Sequence, residues 1–241
     1  MRWSQLMFTQ GFGSRRECAG LLAAGRVACA GYTVDAEDDI DAREGLVFEV
    51  DGKPWPFYER ALLLLHKPGG VECSQKPRHH PSVLSLLPAP LRTRGVQPIG
   101  RLDADTTGVL LLTDDGALIH RLTSPKRHVP KVYEVQCDQA LDEVQLRALR
   151  EGVVLDDDPR PVRAASADAA SANHLRLTLT EGKYHQVKRM VAAAGNHVVA
   201  LHRSTFGAIT LDGLAVPGAW RWIGSAERDA AFAAMSPTMP A

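Results

Sequence analysis

The sequence predicts an α+β protein: a small module of helices and short strands, followed by a larger domain on a mainly antiparallel mixed sheet. Three observations lead there. Strand-like segments come in runs with only occasional helices between them, which argues against a doubly wound sheet. Two segments, ALLLL (61–65) and GVLLL (108–112), are continuous apolar runs of the kind buried on both faces, whereas KVYEVQC (131–137) and HLRLTLT (174–180) alternate. The proline-bearing stretch KPWPFYER (53–60) interrupts the pattern between the two parts.

The first module opens with a short helix around Leu6, Met7 and Phe8, stopped at Gly11 to Gly13. Ser14 then caps a second helix, RRECAGLLA, which Gly25 ends. Two short strands, VACAGYTV and GLVFEV, flank an acidic turn. Residues 1–52 are expected to form this module, 53–60 a linker, 61–230 the larger domain and 231–241 a flexible tail. In the larger domain the first apolar strand runs into the turn HKPGG. LDEVQLRALREG (141–152) reads as an amphipathic helix with Leu141, Val144, Ala148 and Leu149 on its inner side. YHQVKRMVAAAG (184–195) reads as another, burying Val187, Met190, Val191 and Ala194 and stopped by Gly195-Asn196.

At 241 residues, 45% hydrophobic and 23% charged, the chain is long and apolar enough to bury a substantial core. It has no apolar run near the roughly 18 residues a membrane helix needs and no secretory signal pattern, so a cytoplasmic, monomeric protein is expected. The four cysteines lie far apart without metal-ligand spacing, so free thiols and no metal are expected.

Formal net charge is zero. The charges are nevertheless segregated. Residues 73–102 contain no acid but carry Lys76, Arg78, Arg92, Arg94 and Arg101, and 120–133 and 183–203 are likewise basic and acid-free. The acids gather in 35–44 and 155–159. A local field of this kind can steer a polyanion even when the net charge vanishes.

The stretch GRLDADTTGVLLLTDDG (100–116) carries the candidate chemistry. As a DxDxT motif, Asp103 would be a phosphatase nucleophile, but that motif belongs at the end of an apolar strand and here the strand follows it. Asp103 and Asp105, two apart, stand too close to embrace a sugar as a glycosidase pair. Two readings stay open: a turn-capping aspartate paired with Arg101, or a single aspartate working beside a cation such as Lys188 or Arg189.

That stretch resembles the signature of the RsuA/RluB family of pseudouridine synthases. The resemblance continues through HKPGGVECS (66–74), TSPKRHVPKVYEV (123–135) and EGKYHQVKRMVAAAGNHVVALHR (181–203), in the family's order. SRRECAGLLAAGRVACAG (14–31) resembles the S4 domain, a small RNA-binding module, although its strand region is unusually acidic. The resemblance implies an enzyme that isomerises uridine to pseudouridine in ribosomal RNA without a cofactor. HVPKVYEV and GKYHQVKRM are most similar to the members that act on small-subunit (16S) RNA. A large-subunit (23S) substrate, or a non-catalytic assembly factor, are the alternatives.

It further implies roles. Asp103 would start the reaction, by attacking ribose C1′ or by removing the C2′ proton. To stay ionised in a desolvated pocket it needs a cation. Lys188 is the implied partner, with Arg189 as substitute. Tyr133 would stack on the target base and move its C5 proton, and Arg101 would occupy the gap left by the extruded nucleotide. His185, Lys131, Arg15, Arg16 and Arg26 would contact RNA.

Overall fold

A computed structural model describes residues 1–233. The chain begins with helices α1 (Trp3–Thr9) and α2 (Arg15–Ala23). Ser14 and Glu17 form a reciprocal capping box: the Glu17 amide donates to the serine hydroxyl, and the Ser14 amide to the glutamate. Strands β1 (Val27–Cys29), β2 (Tyr32–Thr33), β3 (Val47–Val50) and β4 (Lys53–Pro56) form an antiparallel sheet in the order β2-β1-β3-β4. β4 corrects the expectation of a linker beginning at residue 53. Pro54 and Pro56 are tolerated there because β4 is an edge strand, whose outer side needs no amide donors.

The larger part comprises β5 (Leu62–Lys67), α3 (Ala89–Thr93), β6 (Gln97–Pro98), β7 (Thr107–Thr113), α4 (Gly116–Thr123) and β8 (Lys131–Cys137). It continues through α5 (Glu143–Glu151), the hairpin β9 (Val153–Leu155) and β10 (Asp158–Val162), β11 (Ser166–Ser171) and β12 (His174–Leu179). The final elements are α6 (Gln186–Ala193), β13 (Val198–Phe206), β14 (Trp220–Trp222) and α7 (Ser225–Ala233). The main sheet has the order β11-β12-β8-β13-β7-β5-β14, with β6 also on β7. Its pairings are antiparallel except β13 with β7, which makes it the mixed, mainly antiparallel sheet expected.

The apolar runs of β5 and β7 divide by alternation. Leu63, Leu65, Leu110 and Leu112 enter the core shared with Trp3, Leu6 and Phe48 of the first module. Leu62, Leu64, Val109 and Leu111 face the opposite side, where Leu118 and Leu122 of α4 and Ile223 cover them. Two-sided cover is why neither strand alternates in polarity.

Two further expectations change, and one strand is new. Val144 is exposed on α5, and Leu146 and Leu149 are the buried positions; their three-residue spacing matches the helical turn. Residues 231–233 are not tail but the end of α7, with Ala231 buried in the second core; residues 234–241 of the expected tail lie outside the described residues. β13, the longest strand, crosses the middle of the sheet although its sequence VVALHRSTF reads only as a basic run.

Candidate active site

The loop 101–106 enters β7 beside the HKPGG turn, and a buried lysine ties the two together. Lys67 closes β5 with no solvent exposure. Its Nζ donates to the carbonyls of Pro68 (3.0 Å), Ala104 (3.1 Å) and Thr106 (2.8 Å). The Gly70 amide donates to Ala104 O and the Thr106 amide to Asp103 O, so the backbone around Asp103 is fixed from beneath and from within. Burial pushes the Lys67 ammonium below the usual lysine range, and Cys73, Asp105 and Asp103 oppose that shift.

Register then sets a row across the sheet. Lys67 pairs with Gly108, Gly108 with Arg203, Arg203 with Tyr133, and Tyr133 with Leu177. Gly108 has φ +111°, and a Cβ there would lie 2.2 Å from the Arg203 carbonyl oxygen. No side chain fits that crossing of β7 and β13, which places the Asp103 loop against the central strands.

Asp103 has 28% of its side chain exposed. His185 Nε2 stands 3.4 Å from its Oδ1 and Lys188 Nζ 3.6 Å from its Oδ2. Lys188 donates its hydrogen bonds to Asp105, at 2.8 and 2.7 Å, and that contact is the chief reason the Asp105 carboxyl titrates below the usual range. One lysine thus serves two carboxylates, a close one and one held at ion-pair distance. The turn at His185, with φ +49°, aims its ring at Asp103 from the residue before α6.

Arg189 is elsewhere. It follows Lys188 by about 100° of helical rotation and pairs with Asp157, in the turn between β9 and β10. The structure therefore corrects the substitute-cation expectation for Arg189. It also corrects the separation of acids from basic segments: Asp158 bonds Arg160 and Lys183, which together hold its carboxyl far below the ordinary range. The acids of 155–159 return to the basic stretch they seemed to avoid.

Tyr133 lies on β8 with 8% exposure. Arg101 is exposed at the start of the Asp103 loop. Arg15 and Arg16 are exposed at the start of α2, Arg15 over the Phe8 ring at 5.4 Å, while both forks of Arg26 bond Asp51 at 2.6 Å. In the acid-free stretch 73–102, Lys76, Arg78, His79 and His80 are exposed, on a loop whose backbone amides at 78–80 all donate to Glu72. Arg94 is buried and structural.

Lys131 is half-buried on β8, its Nζ donating to Val129 O and lying 5.6 Å from the Phe206 ring centre. Burial first, then the Arg203 charge, push its pKa down to about 8. Between that value and the unfolded lysine range near 10.4, the unfolded chain binds a proton that the folded chain does not. Stability contributed by Lys131 therefore rises with pH over this window. Thermal melts should show the wild type gaining on Lys131→Met between pH 7.5 and about pH 10; a constant difference would contradict this burial.

Sequence reasoning missed Lys67, Arg203 and the part played by Asp105. A signal existed for the first: a lysine ending a strand of four leucines and a histidine, where charge is buried only when held. Arg203, 2% exposed, donates Nε to Val109 O and lies 5.4 Å from the Phe206 ring centre. Only the register of β13 exposes that role. Among the described residues, all four cysteines are free, no cluster of three or more His, Cys, Asp or Glu is placed to hold a metal, and no helix is long and apolar enough to cross a membrane.

Comparison with known proteins places this arrangement in context. Residues 61–193 match the family described as RNA pseudouridylate synthase. Over 228 residues, 92% of this chain and 94% of the relative, the sequence is 40% identical to the Bacillus subtilis (strain 168) "Uncharacterized RNA pseudouridine synthase YtzG". It is 43% identical over 159 residues to the "Ribosomal small subunit pseudouridine synthase A" of Escherichia coli (strain K12), covering 66% of this chain and 68% of that one. The fold is similar to a solved "pseudouridylate synthase", with TM-score 0.68 and 32% identity, over 96% of this chain and 99% of the other.

Proposed function

This chain belongs to the RNA pseudouridylate synthase family, and from that membership we propose that it isomerises one uridine of small-subunit (16S) ribosomal RNA to pseudouridine. The observation that carries the mechanism is the Asp103 carboxylate, held between His185 at 3.4 Å and Lys188 at 3.6 Å on a loop pinned by Lys67. The similarity to relatives named for the small ribosomal subunit carries the choice of substrate.

The reaction breaks the bond from C1′ to uracil N1, turns the base and joins C1′ to C5, and the C5 proton leaves as N1 gains one. Every atom is conserved, so no redox or group-donating cofactor is required. Asp103 opens the reaction by attack at C1′ or by removal of the C2′ proton. Lys188 keeps it ionised once RNA covers the open side, because an isolated carboxylate in a dry site would take up a proton. Tyr133 lies against the base with a flat apolar face and a polar tip suited to moving the C5 proton. Arg101 enters the stack that the extruded uridine leaves.

The N-terminal module, which runs through β4 to Pro56, acts as an S4-like RNA-binding module, through Arg15 and Arg16 more than Arg26, whose fork Asp51 already occupies. The enzyme works as a monomer in the cytoplasm, on ribosomal RNA or a pre-ribosomal particle. Incubation of the purified protein with unmodified 16S and 23S transcripts, followed by pseudouridine mapping, tests the reading. A single modified position in 16S RNA is expected. Modification confined to 23S RNA overturns the choice of substrate, and no modification of either overturns the function.

A further inference from the structure

Tyr184 precedes the histidine that reaches Asp103, yet the isomerisation gives it no task. The residue is 72% exposed, and its ring stacks on the His185 imidazole, with centroids 3.8 Å apart and planes 21° from parallel. An isolated exposed aromatic is ordinary on a protein surface. This one is held in place. Lys183 N donates to Gln186 Oε1 (2.7 Å), the buried Gln186 donates to Glu181 (3.0 Å), and Arg189 Nη1 donates to the Tyr184 carbonyl (3.1 Å). His185, in the left-handed region, fixes the step between the two rings.

The outer face of Tyr184 is therefore an aromatic surface on a braced turn, one imidazole away from the Asp103 carboxylate. It differs from Tyr133, which is buried and suits a base withdrawn from water. A base meeting Tyr184 is still outside that pocket and is a neighbour of the target in the strand. The cations beside it, Lys183, Arg160 and Arg189, are each ion-paired with Asp157 or Asp158, so what the spot offers a nucleotide is its aromatic face. Exposed aromatic faces are what the bases of single-stranded RNA stack on.

We propose that Tyr184, backed by His185, is a stacking platform for the nucleotide next to the target uridine. The inference rests on the RNA-modifying reading above. Tyr184 is on this view a positioning residue, holding the strand so that the target reaches Asp103.

The test uses the full-length protein with Tyr184→Ala and Tyr184→Phe. Two readouts are needed: anisotropy with a fluorescein-labelled short oligouridine, and KM and kcat on a 16S transcript. Tyr184→Ala should weaken oligouridine binding by about tenfold or more, the usual size of a lost base–aromatic stack. The same variant should raise KM more than it lowers kcat, and Tyr184→Phe should restore both. The loss should persist at raised salt, since stacking is not a charge effect. Unchanged oligouridine binding in Tyr184→Ala, or failure of phenylalanine to rescue it, overturns the proposal. If the wild type modifies neither transcript, the functional reading fails, and the oligouridine comparison still decides the stacking.

Discussion

Asp103→Asn is expected to lower turnover by about four orders of magnitude or more, the usual loss when the reacting group itself is removed. RNA affinity and melting temperature should stay near the wild type. The geometry makes this substitution unusually clean. Asparagine keeps the shape of the side chain while removing its charge and turning one acceptor oxygen into an NH2 donor. Lys188 is not orphaned, because its hydrogen bonds go to Asp105 and its distance to Asp103 is 3.6 Å. The loop itself is held by Lys67 through the backbone carbonyls of Ala104 and Thr106, contacts that position 103 does not make. Single-turnover assays on a transcript, beside a binding titration, measure both halves. Turnover above about one per cent of wild type would remove Asp103 from the chemistry.

Arg94→Leu is expected to give the largest loss of stability, about 3–5 kcal/mol, the cost of leaving a buried carboxylate without its partner. For a chain of this length that is a fall in melting temperature of roughly 10 °C or more. The Arg94 side chain is 2% exposed and pairs with Asp114 at 2.6 Å. Its Nη1 donates to Gln10 at the end of α1 (2.7 Å) and its Nη2 to the Glu59 carbonyl (3.1 Å). Asp114 in turn accepts from the Ala61 amide, and Gln10 donates to Tyr58 O. One guanidinium thus joins the first helix, the segment before β5 and the turn after β7. Nearby, a Cβ on Gly11 would lie 2.2 Å from the Pro90 oxygen, so α1 and α3 approach as closely as backbone allows. The double variant Arg94→Leu, Asp114→Leu should recover much of the loss, since no charge is left stranded. A single variant within about 1 kcal/mol of wild type would show that the pair is wetter than its burial indicates.

Arg94 also shows how charge counting misleads. In the sequence it belongs with Lys76, Arg78 and Arg101 as part of a field for a polyanion, whereas in the fold it faces inward. Arg189 and Lys183 are likewise pulled toward Asp157 and Asp158. A run of like charge along the chain says how many cations there are, and the fold says which are free to meet a phosphate.

The order and kind of most elements follow from local signals, since periodicity, caps and turn residues act within a few positions. The apolar runs of β5 and β7, the capping box at Ser14 and the inward stripe of α6 were legible for that reason. So was Asp103 as the residue of interest, by its place in the 100–116 motif. Packing in three dimensions set the contacts around it: Lys188 lies near Asp103 and is shared with Asp105, while Arg189 turns away to Asp157. Only the register of β5, β7, β13 and β8 brought Lys67, Gly108, Arg203 and Tyr133 into one row. Those pairings join residues up to 95 positions apart along the chain (203 − 108). Their pairing depends on strand order and crossing, for which no short stretch of sequence carries a signal.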